Sequence, residues 1–269
     1  QVMPTTRRRG RPAVDFTAEE MMVVAAAREL RDRERVFVGI GLPVLATLLA
    51  QRDNAPNLLT IYESGAIGSR PSRLAMTMGD PALGSRCLAI LDFFECFATM
   101  VQRNFVDVGF LGAAQLDRYG NMNSTVIGDY LKPKVRLPGS GGACEIAGNV
   151  KRFLLIMPHD GKRFVEKIDF RTSPGYLSGR DERQREGLRG GGPDAVISTL
   201  GVLRFDESGE MYLDSYHRSS SVSEVRENTG WNVKVSRKVR ETPPPTQEQV
   251  RLLREELDPK GIFLRKPSA

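Results

Sequence analysis

The chain has 269 residues, 40% hydrophobic and 27% charged, ordinary values for a globular protein and enough to bury one large core or two small ones. Its longest uncharged run, residues 36–51, contains Gly39, Gly41 and Pro43 and is too short to span a bilayer, so no membrane segment is expected. A net charge of +6 and a pI near 9.4 raise nucleic acid as a partner. Much of the excess, however, sits in Arg7, Arg8, Arg9 and Arg11 and in residues 180–189, where Arg alternates with Glu. Interleaved signs of this kind read as a solvated face, no nucleic-acid motif follows, and nucleic-acid binding is not expected.

Residues 1–15 read as a loose basic arm. An acidic amphipathic segment follows it where a secretory signal would have an apolar stretch, so no signal peptide is expected. Thr17-Ala18-Glu19-Glu20 is a capping box, with Phe16 and Met21 as its hydrophobic staple, and predicts a helix to about residue 33. Residues 35–40 predict a buried strand that ends in Gly39-Ile40-Gly41-Leu42-Pro43, and Pro43 suits the first turn of a helix over 44–51. Residues 58–63 predict a second strand. Helix and strand alternate, which predicts a single α/β domain over 16–242 with an open, mostly parallel sheet flanked by helices.

A helix over 92–103 carries Phe93, Phe94, Phe97, Met100 and Val101 on its apolar side, read as plain core. Strands are predicted over 106–115, 134–137, 153–157, 165–170, 195–205 and 210–215, with a charged, glycine-rich loop over 178–193. Pro243-Pro244-Pro245 marks a linker. A second capping box, Thr246-Gln247-Glu248-Gln249, opens a C-terminal helix that presents Val250, Leu253 and Leu257 to the domain. Thus residues 243–269 form a proline linker and a packed helix.

Glu63 is the leading candidate for chemistry. It ends an apolar strand and runs into Ser64-Gly65, which puts a carboxylate at the mouth of the sheet, where open α/β sheets hold ligands. The turn at Gly39 and Gly41 suits an anion before a helix, yet it is neither a dinucleotide fingerprint nor a P-loop. Gly139-Ser140-Gly141-Gly142-Ala143 could free backbone N–H groups for a developing oxyanion. Cys144 follows that loop with no histidine nearby in sequence, and Ser64 lacks a nucleophile elbow. Cys87, Cys96 and Cys144 show no C-x-x-C spacing and His159 and His217 lie far apart. Neither a disulfide framework nor a metal site is expected, and a reducing, cytoplasmic setting is.

Taken in order, four segments resemble the β subunit of family I coenzyme A transferases, and within it the β subunits of glutaconate CoA-transferases. They are Val38-Gly39-Ile40-Gly41-Leu42-Pro43, Glu63-Ser64-Gly65, Gly112 through Thr125, and Gly139 through Ala143. The likeness continues through 167–175, 227–230 and 255–259. The resemblance implies that Glu63 is the catalytic nucleophile, forming a covalent glutamyl-CoA thioester, and that Gly141, Gly142 and Ala143 form the oxyanion loop. It implies CoA and substrate contacts at Gly39, Gly41, Ser64, Gly65, Asn121, Asn123, Gly139 and Ser140. It further implies acyl-CoA and a short, dicarboxylic acid as substrates, no metal, and an α subunit partner at whose interface the site lies. Arg136 and Arg163 are candidates to hold the acid's distal carboxylate. Relatives of the fold that hydrolyse or decarboxylate CoA thioesters mark one alternative, and a non-catalytic effector-binding or scaffold subunit another.

Overall fold

A computed structural model describes residues 14–264; most of the expected basic arm lies outside them. The first helix, α1 (Ala18–Arg28), begins at its capping box. Glu20 N–H donates to Thr17 Oγ1 at 3.2 Å and Thr17 N–H to Glu20 Oε2 at 2.8 Å. The Glu20 carboxylate is 1% exposed and also takes Arg254 Nε at 2.6 Å, so one cap ties both ends of the chain together. Phe16 packs on the core cluster that holds Met21.

The strands in chain order are β1 (Arg35–Phe37), β2 (Leu59–Ile61), β3 (Ala66–Ile67), β4 (Ala89–Ile90), β5 (Val108–Leu111), β6 (Gln115–Leu116), β7 (Met122–Asn123), β8 (Val126–Gly128) and β9 (Pro133–Arg136). Then come β10 (Arg152–Met157), β11 (Pro193–Ser198), β12 (Gly201–Phe205), β13 (Met211–Tyr216) and β14 (Lys234–Glu241). Between them lie α2 (Leu42–Arg52), α3 (Phe93–Glu95), which runs on as a π-helix (Cys96–Val101), α4 (Ala143–Asn149), α5 (Glu182–Arg185) and α6 (Val222–Glu227). Last is α7 (Gln247–Arg251), which also runs on as a π-helix (Leu252–Leu257). No described helix is long and apolar enough to cross a membrane.

Ten strands form one sheet in the order β14-β13-β12-β11-β10-β5-β1-β2-β3-β4. Its centre, β11 to β2, is parallel, and antiparallel pairs flank it. Central parallel strands are covered on both faces and are apolar over most of their length, and pleating sorts their side chains between two clusters. Val36, Phe110, Leu154, Ile156, Ala195 and Ile197 enter the cluster under α1, α2 and the C-terminal helix. Phe37, Leu111, Phe153, Leu155 and Val196 enter the opposite one, with Phe97, Ile146 and Trp231. The chain passes from β1 to β2 on one side and returns to β5 on the other, which leaves a crevice at their C-terminal ends.

Several elements differ from those predicted. Residues 195–205 are not one strand but the hairpin β11–β12, whose turn closes when the Leu200 and Gly201 N–H groups donate to Ser198 Oγ at 3.3 and 3.2 Å. Residues 165–170 form no strand. Phe164 makes an isolated bridge with Leu116, and the segment is then held by side chains, Asp169 accepting from Gln115 and from Gly128 N–H. Phe93 and Phe94 are not core. They are 59% and 77% exposed, while Cys96, Phe97 and Val101 point inward, because the shift to i→i+5 bonding changes which residues share a face. Leu88 and Ile90, on and beside edge strand β4, are likewise 77% and 68% exposed. β14 was hidden by its charge, which suits a sheet edge.

Both histidines are buried at the C-terminal ends of β10, β11 and β13. His159 lies with Nδ1 3.0 Å from Ser198 Oγ and Nε2 3.0 Å from Thr229 Oγ1, stacked 3.7 Å from Phe164. The Thr229 hydroxyl donates to Val225 O and so accepts from Nε2, while the Ser198 hydroxyl donates to Gly201 O at 2.9 Å. His217 Nε2 donates to Ser198 O at 2.9 Å. Burial pulls both pKa values down to about 4, against roughly 6.5 in the unfolded chain. Between those values the unfolded chain binds more protons, so stability is full above about pH 6.5 and falls as pH drops toward 4. From pH 7 to pH 5 the loss is predicted to be about 2 kcal/mol per histidine. Urea denaturation at the two pH values measures it, and equal midpoints would contradict it.

Candidate active site

Glu63 stands on a tight turn. Tyr62, fully buried, ends the β2 run, and its carbonyl accepts the Gly65 N–H at 2.8 Å, so Glu63 and Ser64 occupy the two corners. Gly65 has φ +91°, and a Cβ there would lie 1.9 Å from the Leu91 carbonyl oxygen. No other residue fits. Beneath the turn, Cys96 Sγ donates to Tyr62 O at 3.5 Å. Burial first, and the Glu63 carboxylate second, push this thiol up to about 11, so it stays protonated.

The facing wall is the glycine loop. β9 continues its ladder beyond Arg136, with Leu137 N–H donating to Thr125 O at 2.9 Å and Gly139 N–H to Ser124 O at 2.8 Å. The backbone then bends through Gly139 (φ +95°) and Gly141 (φ +49°) into α4. Gly142 is needed for space: an added Cβ would sit 2.4 Å from the Phe97 ring and 3.3 Å from Glu63 Oε1. The loop backbone therefore reaches the carboxylate only because this position has no side chain. Ala143 departs from the expectation of an oxyanion donor, since its N–H closes the loop on Ser140 O at 2.9 Å. Among the described residues the N–H groups of Gly141 and Gly142 have no partner.

Glu63 and this loop border a cavity of about 490 Å³ at the C-terminal ends of β1, β5, β10 and β11. Its walls are Phe37, Phe110, Leu111, Ile146, Ile156 and Met157, closed on the α1–α2 side by Met22, Leu42, Pro43 and Met78. Of the residues singled out in the sequence, Gly39, Glu63, Ser140, Gly141, Gly142 and Ala143 meet here. Gly41, Ser64, Gly65 and Gly139 lie in the flanking turns and do not line it. Asn121 and Asn123 are brought to neither wall. Asn121 is 1% exposed, donating to Asp117 and Leu177 O and accepting from Gly175 and Leu177 N–H. Asn123 is fully buried, tied to Gln115, Val126 and Thr125. Both build the loop with every polar atom used.

Arg136 stacks 4.9 Å over Tyr130 and Arg163 pairs with Asp160, and neither lines the cavity. The charged residues that do are Glu63 and Glu19. Cys144 faces a separate hollow of about 310 Å³ with Pro174, Leu188 and Arg189. Among the described residues no group of three or more His, Cys, Asp or Glu is placed to hold a metal. Sequence reasoning missed Glu19, Met22, Gly112 and Thr199. Gly112 lay within a motif already noted, whereas Glu19 was masked by its place in a capping box and Thr199 by its apolar neighbours.

Gly142→Ala is predicted to push the loop off Phe97 and Glu63 and to lower by about 10²-fold the rate of any reaction that uses loop and carboxylate together. Phe97→Leu in the same chain should return part of it, because the two positions share one contact. Additive losses in the double variant would contradict this account.

The profile of the family described as Coenzyme A transferase matches residues 19–228. The chain is 45% identical over 240 residues to the B subunit of 3-oxoadipate CoA-transferase from Pseudomonas knackmussii, covering 89% of this chain and 92% of the relative. It is 39% identical over 261 residues to the B subunit of glutaconate CoA-transferase from Acidaminococcus fermentans, covering 94% and 97%. The crystal structure of glutaconate coenzyme A-transferase from that organism matches with a TM-score of 0.90 at 37% identity, over 94% of this chain and 99% of that one. The decarboxylase AibA/AibB is more distant, with a TM-score of 0.80 at 26% identity over 93% and 98%. The chain therefore belongs to the coenzyme A transferase family, as a CoA-transferase subunit of the B type.

Proposed function

We propose that this subunit carries the nucleophile that moves CoA between two carboxylic acids, and that the nucleophile is Glu63. The observation that carries the reading is the Glu63 carboxylate in a largely apolar cavity, facing a glycine loop whose Gly141 and Gly142 N–H groups are unpartnered among the described residues. A carboxylate oxygen of Glu63 attacks the thioester carbonyl carbon of an acyl-CoA. The tetrahedral adduct expels CoA thiolate and leaves a mixed anhydride. The thiolate then attacks the glutamyl carbonyl, the donor acid leaves as its carboxylate, and a glutamyl-CoA thioester remains. The acceptor carboxylate runs the same steps in reverse.

Each addition puts negative charge on a carbonyl oxygen beside Glu63, where N–H donors held by the loop stabilise it. Apolar walls strengthen that interaction by excluding water. The acids named for the two relatives, 3-oxoadipate and glutaconate, each have two carboxyl groups, and a short dicarboxylate fits the proposed reaction here. Its distal carboxylate needs a cation, and the described lining offers only Glu19 and Glu63 as charged groups. The reading therefore includes an α subunit that closes the cavity and supplies the cation, in keeping with relatives that are themselves one of two kinds of subunit. Three unpaired cysteines suit a reducing, cytoplasmic setting.

The chain co-produced with its α partner and incubated with glutaryl-CoA should gain the mass of one CoA less water. Hydroxylamine should remove the adduct, and Glu63→Ala should never form it and should lose at least about 10³-fold in transfer rate. Full transfer by Glu63→Ala would overturn the reading. Free thiol without acyl transfer, or released CO₂, from a thioester that the complex consumes without an adduct would assign hydrolysis or decarboxylation instead.

A further inference from the structure

Arg183, in α5, is 4% exposed, and arginine is almost never buried so deeply unless it is paired. The two acids beside it in sequence are taken, Asp181 by Arg185 at 3.5 Å and Glu182 by the Ser178 N–H at 2.6 Å. Its guanidinium donates to carbonyls instead: Nε to Gly190 O and Nη1 to Gly175 O, each at 2.9 Å, and Nη2 to Ala147 O. Burial pulls its pKa down to about 10, so the cation persists at neutral pH at a desolvation cost that no carboxylate offsets. It does not line the cavity that Glu63 borders.

The carbonyls it gathers come from separate segments. Ala147 belongs to α4, which begins directly after Gly142. Gly190 returns the tie, its N–H donating to Gly148 O at 2.8 Å. Gly175 is seated on the turn at 119–121: its N–H donates to Asn121 Oδ1 at 2.9 Å, and a Cβ there would lie 2.3 Å from Tyr119 O. That turn runs on into Ser124 and Thr125, whose carbonyls accept the Gly139 and Leu137 N–H groups at 2.8 and 2.9 Å. Residues 119–125 therefore hold both flanks of the glycine loop, upstream by backbone bonds and downstream through Arg183. Between the two flanks lie Ser140, Gly141 and Gly142, too short a span to absorb a shift of α4.

We infer that Arg183 is a positioning residue for the reaction. It clamps α4 to the segment 119–125 and so sets the distance between the Gly141 and Gly142 N–H groups and the Glu63 carboxylate. A misplacement of about 1 Å at such a site costs about 10²-fold in rate. A guanidinium can do this where an ammonium cannot, because its planar fork aims donors at several acceptors in fixed directions. The inference rests on the reading of the loop as the stabiliser of charge that develops beside Glu63.

Arg183→Lys keeps the buried cation and loses the fork. In the complex with the α partner it should lower kcat for transfer from glutaryl-CoA by roughly 10- to 100-fold and leave KM at the wild-type value, as when an interaction made only in the transition state is lost. Combined with Gly142→Ala it should cost far less than the product of the two single losses, because both act on the same N–H groups. Arg183→Ala assembled in methylguanidinium should regain kcat as that cation is added, which keeps the test open if the lysine variant does not fold. Full kcat below a lowered melting temperature, a rise in KM alone, or losses that multiply in the double variant would overturn the inference and leave Arg183 a structural residue. Failure of both Arg183 variants to assemble would do the same. If Glu63→Ala is inert and Arg183→Lys is unimpaired, the clamp alone fails. If Glu63→Ala transfers CoA at the wild-type rate, the reading of Glu63 fails and the clamp with it.

Discussion

The site depends on one close approach, that of Gly65 to the Leu91 carbonyl. A side chain at Gly65 would overlap that oxygen, so the strand-to-strand turn could not close and Glu63 would have no fixed corner to stand on. Gly142 plays the same part from the opposite wall, where the Phe97 ring fills the space a Cβ would take. Two backbones are thus brought to one carboxylate by the absence of side chains. The ring of Phe97 in turn is placed by the π-helix that follows α3, which links an irregular helix to the geometry around Glu63.

Behind these contacts stands the sorting of side chains by the pleat. Each central strand feeds two clusters, one under α1 and α2 and one under the π-helix and α4. The crevice between β1 and β5 is bounded by both. Its floor is therefore apolar, and the few polar groups at its rim act in a medium that screens them weakly. The tips of β10 and β11 are steadied from behind, where the His159 backbone N–H donates to Thr199 Oγ1 at 3.0 Å and the imidazole joins Ser198 to Thr229.

Much of this was legible in the chain. Both capping boxes form as spelled, the α/β alternation gives the parallel centre, and the ordered glycine motifs point to the family to which the chain belongs. Glu63 was readable as a site because apolar strand, carboxylate and glycine are adjacent in sequence. What stayed hidden depends on distant partners. The turn at Ser198 interrupts an apolar run without glycine or proline at its corners. The polarity of Asn121 and Asn123 reads equally as ligand contact or as internal scaffolding until their partners at 115, 117 and 175–177 are known. Phe93 and Phe94 look like core by composition, and only the change of helical pitch turns them outward.

The outward face of Leu88, Ile90, Phe93 and Phe94 has a consequence for the life of the chain before assembly. An edge strand flanked by exposed aliphatic and aromatic side chains is adhesive to its own kind and to chaperones. A molecule in which that face stays in water is open to self-association, quality control and proteolysis. Those four side chains make the stability of the isolated chain in solution depend on concentration as well as on its own core.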